Sequence, residues 1–234
     1  MTGERIWRAA TWSWFQCGDT QVIDTPAWAQ LRTPSMPGGW RNEVAVSVVE
    51  DLDLDAIDAR FPETIYKWSV TEWTRPEDTG RRLAARGFES WAFRGMAAET
   101  PDFSVPEDVE VRISSDAGAI AALLAKGWGG PRERIEPEIH WALAQGRFHY
   151  AVATVQGDTA GVGGVVIGDF AYLTGGVVLP AFRGRGVYRA LVRARLDLAG
   201  GLPVGTQARE ATSAPILERL GFATVFHGRI FQKT

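Results

Sequence analysis

Hydrophobic positions in this chain switch between the two-residue period of strands and the longer period of helices, and the switches mark out its elements. The clearest switch lies between Ala171 and Gly201. Ala171 to Leu179 is a strand-length run rich in β-branched and aromatic residues, and Pro180, which has no N–H for a ladder, ends it. From Val187 the spacing becomes helical: Val187, Leu191, Ala194 and Leu198 share one face and Arg185, Arg189 and Arg193 line another. Gly200-Gly201 supplies the stop.

The flanking pattern is equally legible. Val109 to Ile113 alternates as a strand, and Asp116 to Lys126 carries Ala119, Ile120, Leu123 and Leu124 at helical intervals. Gly127 to Pro131 breaks that helix, and a second is expected from Pro137 to Gln145. Phe148–Val155, Gly161–Ile167 and Phe170–Val178 read as three antiparallel strands joined by turns at Gln156–Thr159 and Gly168-Asp169. A strand at Pro203–Gln207, a helix at Ser213–Arg219 and a strand at Ala223–Gln232 follow. In the first half, residues 42–97 predict strand, helix, strand, helix, strand at Val44–Val49, Leu52–Phe61, Tyr66–Thr71, Pro76–Arg86 and Ser90–Ala97. Glu99 to Asp108, with Pro101 and Pro106, reads as a linker, giving expected domains of 1–105 and 109–234. The fold class is therefore α/β (α+β), a mixed, mostly antiparallel sheet flanked by helices.

Residues 1–41 hold Trp7, Trp12, Trp14, Trp28 and Trp40 and end in a loop, Thr33 to Gly39. So much apolar ring surface is expected to pack against the body of the protein, the sharper alternative being that some rings line an acceptor pocket.

Composition narrows the chemistry. Of 234 residues, 45% are hydrophobic, enough for a substantial core and unlike a disordered chain. No apolar run approaches the roughly 20 residues of a membrane span, and the start lacks the apolar core of a secretory signal. Cys17 is the single cysteine, which fits a cytoplasmic setting, and with no His, Lys or Arg adjacent it is a poor candidate nucleophile. His140, His149 and His227 show no zinc-ligand spacing, so no metal site is expected. The net charge of −3 conceals an asymmetry: residues 181–234 carry nine Lys/Arg against three acids. Positive charge is thus concentrated around Arg183-Gly-Arg-Gly186, where glycines free the backbone and a helix begins, a ready site for phosphate. Without interleaved aromatics, and with an acidic remainder, the basic patch does not point to nucleic acid. Gly161-Val-Gly-Gly164 is not a dinucleotide loop, because a turn and another strand follow it instead of a helix.

The whole stretch 171–201 resembles motif A of the GNAT acyltransferase superfamily, whose Gln/Arg-x-x-Gly-x-Gly/Ala loop binds the pyrophosphate of acyl-coenzyme A. Arg183, Gly186 and Tyr188 occupy its places, Tyr188 being a departure that would either crowd the phosphates or add a hydroxyl contact. Residues 210–222 resemble motif B, with Glu210 in the asparagine place and Leu217 where many members have a proton-donating tyrosine. The resemblance implies a GNAT fold and assigns coenzyme contacts to Val177, Val178, Leu179, Arg183, Gly184, Arg185, Gly186, Val187 and Tyr188. It implies acetyl-coenzyme A as co-substrate and direct attack by an amine of a small-molecule acceptor, with a main-chain N–H exposed by splaying near Val178 as oxyanion donor. Tyr172 and Glu210 are the candidate catalytic residues, and Trp128, Glu133, Glu136 and His140 possible acceptor contacts in the family's helix–loop–helix. The acidic first 180 residues favour a cationic acceptor such as an aminoglycoside-like compound, a polyamine or an amino-acid-derived amine. No nucleic acid or membrane partner is expected, and a homodimer stays open. The alternative is a coenzyme A-binding GNAT-fold module without catalysis, serving regulation or scaffolding.

An internal echo supports a tandem form. Setting Gly87-Phe88 over Gly221-Phe222 aligns Val70, Arg75 and Leu83 with Val204, Arg209 and Leu217. The same offset puts Val49-Glu-Asp-Leu52 over the Arg/Gly loop, carboxylates that would repel a pyrophosphate. The first half is therefore read as a degenerate GNAT-like partner.

Overall fold

The computed structural model describes residues 1–36, 41–62, 64–99 and 101–233. Trp40 and the Pro37–Gly39 end of the expected loop lie outside the described residues. In chain order the elements are α1 (Gly3–Arg8), β1 (Gln21–Asp24), β2 (Trp28–Arg32), β3 (Glu43–Ser47), α2 (Leu54–Asp58), β4 (Lys67–Thr71), α3 (Thr79–Ala85) and β5 (Glu89–Ala98). There follow β6 (Val109–Ser114), α4 (Ala117–Trp128), α5 (Arg132–Ala144), β7 (Phe148–Val155), β8 (Asp158–Ile167) and β9 (Ala171–Val178). Next come α6 (Val187–Ala199), β10 (Val204–Arg209), α7 (Ser213–Arg219) and β11 (Ala223–Gln232). They form two compact units, and the division differs from a cut at 105–109. Gln207–Glu218 and the stretch from Ala223 cluster with the first 96 residues. The cause is strand pairing: β11 runs antiparallel to β4, from Gly228↔Thr71 to Gln232↔Lys67, and covers an edge that would otherwise stand open.

In the first unit the strand order is β1-β2-β3-β4-β11-β5. β3 and β4 are parallel, with only Glu43↔Lys67 and Val44↔Trp68 in register. Val44, Leu54, Ile57, Phe61, Trp68, Leu83, Phe88 and Phe231 build the core. The tryptophan-rich leader packs here, and it is more regular than the sequence suggested. Trp7 is fully buried and stacks on Trp73 at 5.6 Å, Trp14 is buried, and Trp28 meets Trp68 edge-on at 5.6 Å. Between them β1 and β2 form an antiparallel hairpin, Gln21↔Arg32 to Asp24↔Ala29.

The second unit orders its strands β10-β9-β8-β7-β6, antiparallel except for β9 with β10. α6 lays Val187, Ala190 and Leu191 on Val109, Ala151, Ala153, Val155 and Ala160. Gly161 is small because the Val177 carbonyl oxygen stands 2.5 Å from where its Cβ would be, with Leu191 and Val187 at 3.2 and 3.3 Å, so close packing accounts for this glycine of β8. α4 packs on the opposite face, where Gly127 admits the Val177 side chain: a Cβ would sit 2.2 Å from it. That close approach belongs to the last turn of α4, which continues through Trp128 instead of stopping at Lys126. α5 begins at Arg132, with Pro137 inside it and not at its start. Ile135, Ile139 and Ala142, at helical intervals and all 0% exposed, make the extra turn worthwhile.

Candidate functional site

β9 is the framework of the site. Its parallel ladder with β10 lasts for two pairs, Ala171↔Val204 and Tyr172↔Gly205. Beyond them Thr206 donates its hydroxyl to the Leu173 carbonyl at 2.9 Å. On the other side the register with β8 passes from Val162↔Val177 to Gly164↔Thr174, so β9 carries one residue more than β8 in that interval. This is a β-bulge, with Gly175 in the left-handed region at φ 60°. Separation was expected near Val178; there β9 has left β10, whose ladder ends at Tyr172, but it is still paired with β8 through Val178↔Gly161.

After β9, Pro180–Phe182 make a single 3-10 turn, and the chain enters α6 through Gly184 at φ 77° and Gly186 at φ 74°. Gly186 is the N-cap and has no side chain to bond the first-turn amides. Those amides have no partner one turn back, so this end of α6 is open to an anion. The start of α2, in the first unit, is closed. There Asp53 caps α2, and its carboxylate accepts from the amides of Asp55 and Ala56 at 2.9 and 3.1 Å. An internal carboxylate thus fills the place an anion would take.

The arginines around the loop are differently employed. Arg183 Nε donates to the Val178 carbonyl at 3.4 Å, folding back on β9. Arg185 reaches Asp108 at 3.4 Å. Arg193 reaches Asp102 at 3.2 Å and the Phe103 carbonyl at 2.8 Å. Arg189, by contrast, lies over the loop, with Nη2 3.5 Å from where a Gly186 Cβ would be. Tyr188 does not cover the loop. Its ring turns under β9, 3.1 Å from the Cβ position of Gly176, leaving only its main chain to the anion site. Burial raises the pKa of its hydroxyl, partly opposed by the charge of Arg195.

Arg195, one of the nine Lys/Arg of residues 181–234 and assigned no role from the sequence, is 2% exposed. It donates from Nε to the Leu191 carbonyl at 2.8 Å and from Nη1 to the carbonyls of Gly164 and Thr174 at 3.3 and 3.4 Å. Gly163 gives it room, since a Cβ there would stand 2.9 Å from Cζ and Nε. Two local signals pointed to this arrangement: Gly-Gly within a strand, and an arginine four residues after Leu191 on the apolar face. The buried stripe runs Val187, Leu191, Arg195, Ala199, while Ala194 and Leu198 are only half-buried.

The other candidates scatter. Tyr172 is buried in β9, between its ladder partners Val166 and Gly205. Glu210 belongs to the first unit, where its carboxylate faces Arg94 at 3.7 Å. Leu217, in α7, is 1% exposed. Trp128 is 46% exposed and its ring edge lies 3.4 Å from the Cβ position of Gly175. Glu136 pairs with Arg132 at 3.0 Å, and Glu133 and His140 are exposed on α5. Among the described residues no cluster could hold a metal ion, and no helix is long and apolar enough to cross a membrane.

Residues 119–222 match the family model described as Acetyltransferase (GNAT) family. Among solved structures, the chain is similar to a functionally unknown conserved protein from Staphylococcus epidermidis, with 15% identity, 92% of this chain and 94% of that one covered, and a TM-score of 0.69. It is also similar to a GCN5-related N-acetyltransferase from Kribbella flavida, with 13% identity, coverages of 92% and 90% and a TM-score of 0.63. A tandem GNAT protein from the clavulanic acid biosynthesis pathway gives 14% identity, coverages of 97% and 87% and a TM-score of 0.61. At such identities the likeness is one of fold. No curated protein matches the chain in sequence.

Proposed function

We propose, from the match of residues 119–222 to the GNAT acetyltransferase family model, that the protein is an acetyl-coenzyme A-dependent N-acetyltransferase acting on an amine of a small molecule. The observation that carries this reading is the open N-terminus of α6, entered through two left-handed glycines and leading directly from a bulged strand. The residues fit a diphosphate. Amides at the start of α6 would hold it, the Arg189 guanidinium lies over the loop, and the Tyr188 ring is turned away. Val177, Val178 and Leu179, past the end of the β10 ladder but still paired with β8 (the Leu179 N–H donates to the Ala160 carbonyl at 2.9 Å), would line the pantetheine arm. When bound, the coenzyme supplies an activated thioester.

The chain's own contribution is mainly positional. An amine must be neutral to attack, and the oxyanion that develops needs fixed donors. The bulge sets Gly175 and Gly176 outside the regular β8 register, where main-chain N–H groups are held without the cost of reorientation. Tyr172, buried within the sheet, and Glu210, paired with Arg94, are the residues proposed to handle protons. Neither is placed as an activated base, so holding two substrates in register supplies most of the acceleration.

We read the first half as a degenerate copy. Its two-pair parallel ladder between β3 and β4 mirrors that of β9 and β10. Its opening is stitched by the Arg75 amide, which donates to the Ser47 carbonyl at 2.8 Å, and its helix start is capped by Asp53. The sites proposed on this reading are a small cationic amine acceptor and a cytoplasmic location, with no nucleic-acid or membrane partner; a homodimer remains an option. The second reading, a coenzyme A-binding module without turnover, draws on buried Leu217 in the place of the family's tyrosine.

Calorimetry with coenzyme A, followed by thiol release from acetyl-coenzyme A across an amine panel, tests both readings. Binding with amine-dependent thiol release supports the enzyme, binding without release the module, and no binding sinks both. Tyr172→Phe and Glu210→Gln are each expected to retain turnover within about tenfold of the unaltered protein, below the loss for a dedicated acid–base group.

A further inference from the structure

A buried cation normally has an anion beside it, because removing charge from water costs several kcal/mol even after relaxation. Arg195 has none. Among the described residues no carboxylate pairs with it, and the group electrostatically coupled to it is the Tyr188 hydroxyl. Three of its hydrogen bonds go to main-chain carbonyls, and its one side-chain partner among the described residues is Tyr188, a neutral phenol whose ring centroid lies 6.0 Å from Cζ. A leucine or methionine would fill the same space at less cost. The guanidinium must therefore be doing something an apolar side chain would not.

Its position says what. Gly164 and Thr174 are the register pair immediately before the bulge, and one nitrogen, Nη1, donates to both of their carbonyls. We infer that Arg195 is a positioning residue for acyl transfer, pinning the β9 bulge from beneath and polarising the peptide units that form it. This rests on the acetyltransferase reading above.

The physical step is short. The Thr174 carbonyl belongs to the same peptide unit as the Gly175 N–H. A charged donor on that oxygen draws electron density from the nitrogen and makes the Gly175 N–H a stronger donor in turn. A bulge without this tie has two glycines free to adopt other conformations, and its N–H groups lose their fixed direction. Gly163 completes the device, since any larger residue displaces the guanidinium. The Tyr188 ring, packed below Gly176, supports the next residue along. Arg195 touches neither substrate in this scheme; it acts through the main chain of β9.

The test uses the full chain with Arg195→Met, Arg195→Lys and Gly163→Ala. Each is measured for thermal unfolding, coenzyme A affinity, kcat and KM, and for amide hydrogen exchange at residues 174–177. For Arg195→Met the expected result is a kcat loss greater than about tenfold, with coenzyme affinity and KM changed by less than about threefold, because the loss falls on a transition-state donor and not on binding. Arg195→Lys, which keeps the charge but not the planar fork, should lie between. Gly163→Ala, which keeps the arginine but pushes it aside, should show the same split and covers the case in which Arg195→Met does not fold. Exchange at 174–176 should quicken in Arg195→Met. A smaller kcat loss, affinity falling by the same factor as kcat, or unchanged exchange at the bulge overturns the proposal. If the unaltered protein binds no coenzyme A, the acetyltransferase reading fails, whereas the exchange measurement still decides whether Arg195 holds the bulge.

Discussion

Two glycines in the loop before α6 share a backbone conformation but not a neighbourhood, and that contrast gives a quantitative prediction. Gly184 and Gly186 sit at φ 77° and 74°, where an L side chain costs roughly 1–2 kcal/mol. Around Gly184 nothing lies within 4 Å of the Cβ position, whereas at Gly186 the Pro106 ring is 2.4 Å away. Gly184→Ala should therefore cost only the conformational amount, about 1–2 kcal/mol. Gly186→Ala adds an overpacking cost of about 1–3 kcal/mol, giving roughly 2–5 kcal/mol in all. At about 3 °C per kcal/mol for a chain of this size, the two variants should melt roughly 3–6 °C and 6–15 °C below the unaltered protein. Differential scanning calorimetry checks the pair, and coenzyme A titration should show both weakened. Equal shifts, or a larger one for Gly184→Ala, would refute the claim that Pro106 packs on the entrance to α6.

Other outcomes follow from the first unit. Asp53→Ala should lower stability by about 1 kcal/mol through loss of the α2 cap while leaving coenzyme affinity unaltered, as urea unfolding and calorimetry will show. Burial tends to raise the pKa of the Asp58 carboxyl, but bonds from Tyr66 and Lys233 and the charge of Arg86 outweigh it and hold the group below its ordinary 3.8. A depressed carboxyl stabilises the fold above its unfolded pKa and stops doing so as pH falls through the folded value. The melting-temperature gap between the unaltered protein and Asp58→Asn should thus be full at pH 6 and shrink from about pH 4 downward; a pH-independent gap contradicts this.

Where a feature depended on a residue's own backbone needs, it could be read from the sequence. Gly184 and Gly186 marked the loop because only glycine adopts those angles cheaply, and Gly200 marked the end of α6 in the same way. The β1–β2 hairpin escaped notice because Gln21–Asp24 is largely exposed and shows no alternation. The start of α5 was misplaced because Pro137 suits a first turn, and what outweighed it was the burial of Ile135, just before the expected start. Arg195 was the costliest miss. In a helix read alone an arginine belongs to solvent; only Gly163, on another strand, makes space for it inside. The pairing of β11 with β4 was likewise out of reach, because no local pattern names a strand's partner.

That pairing constrains how the protein can be made. During synthesis β4 emerges well before β11, and all of β6 to β10 is translated in between. The first half therefore cannot mature on the ribosome as a finished body while the second is still being translated. Its sheet waits with one flank bare until residues 223–232 arrive. Expressed alone, residues 1–105 would keep that flank sticky, and supplying the missing strand as a separate peptide is the natural way to rescue it.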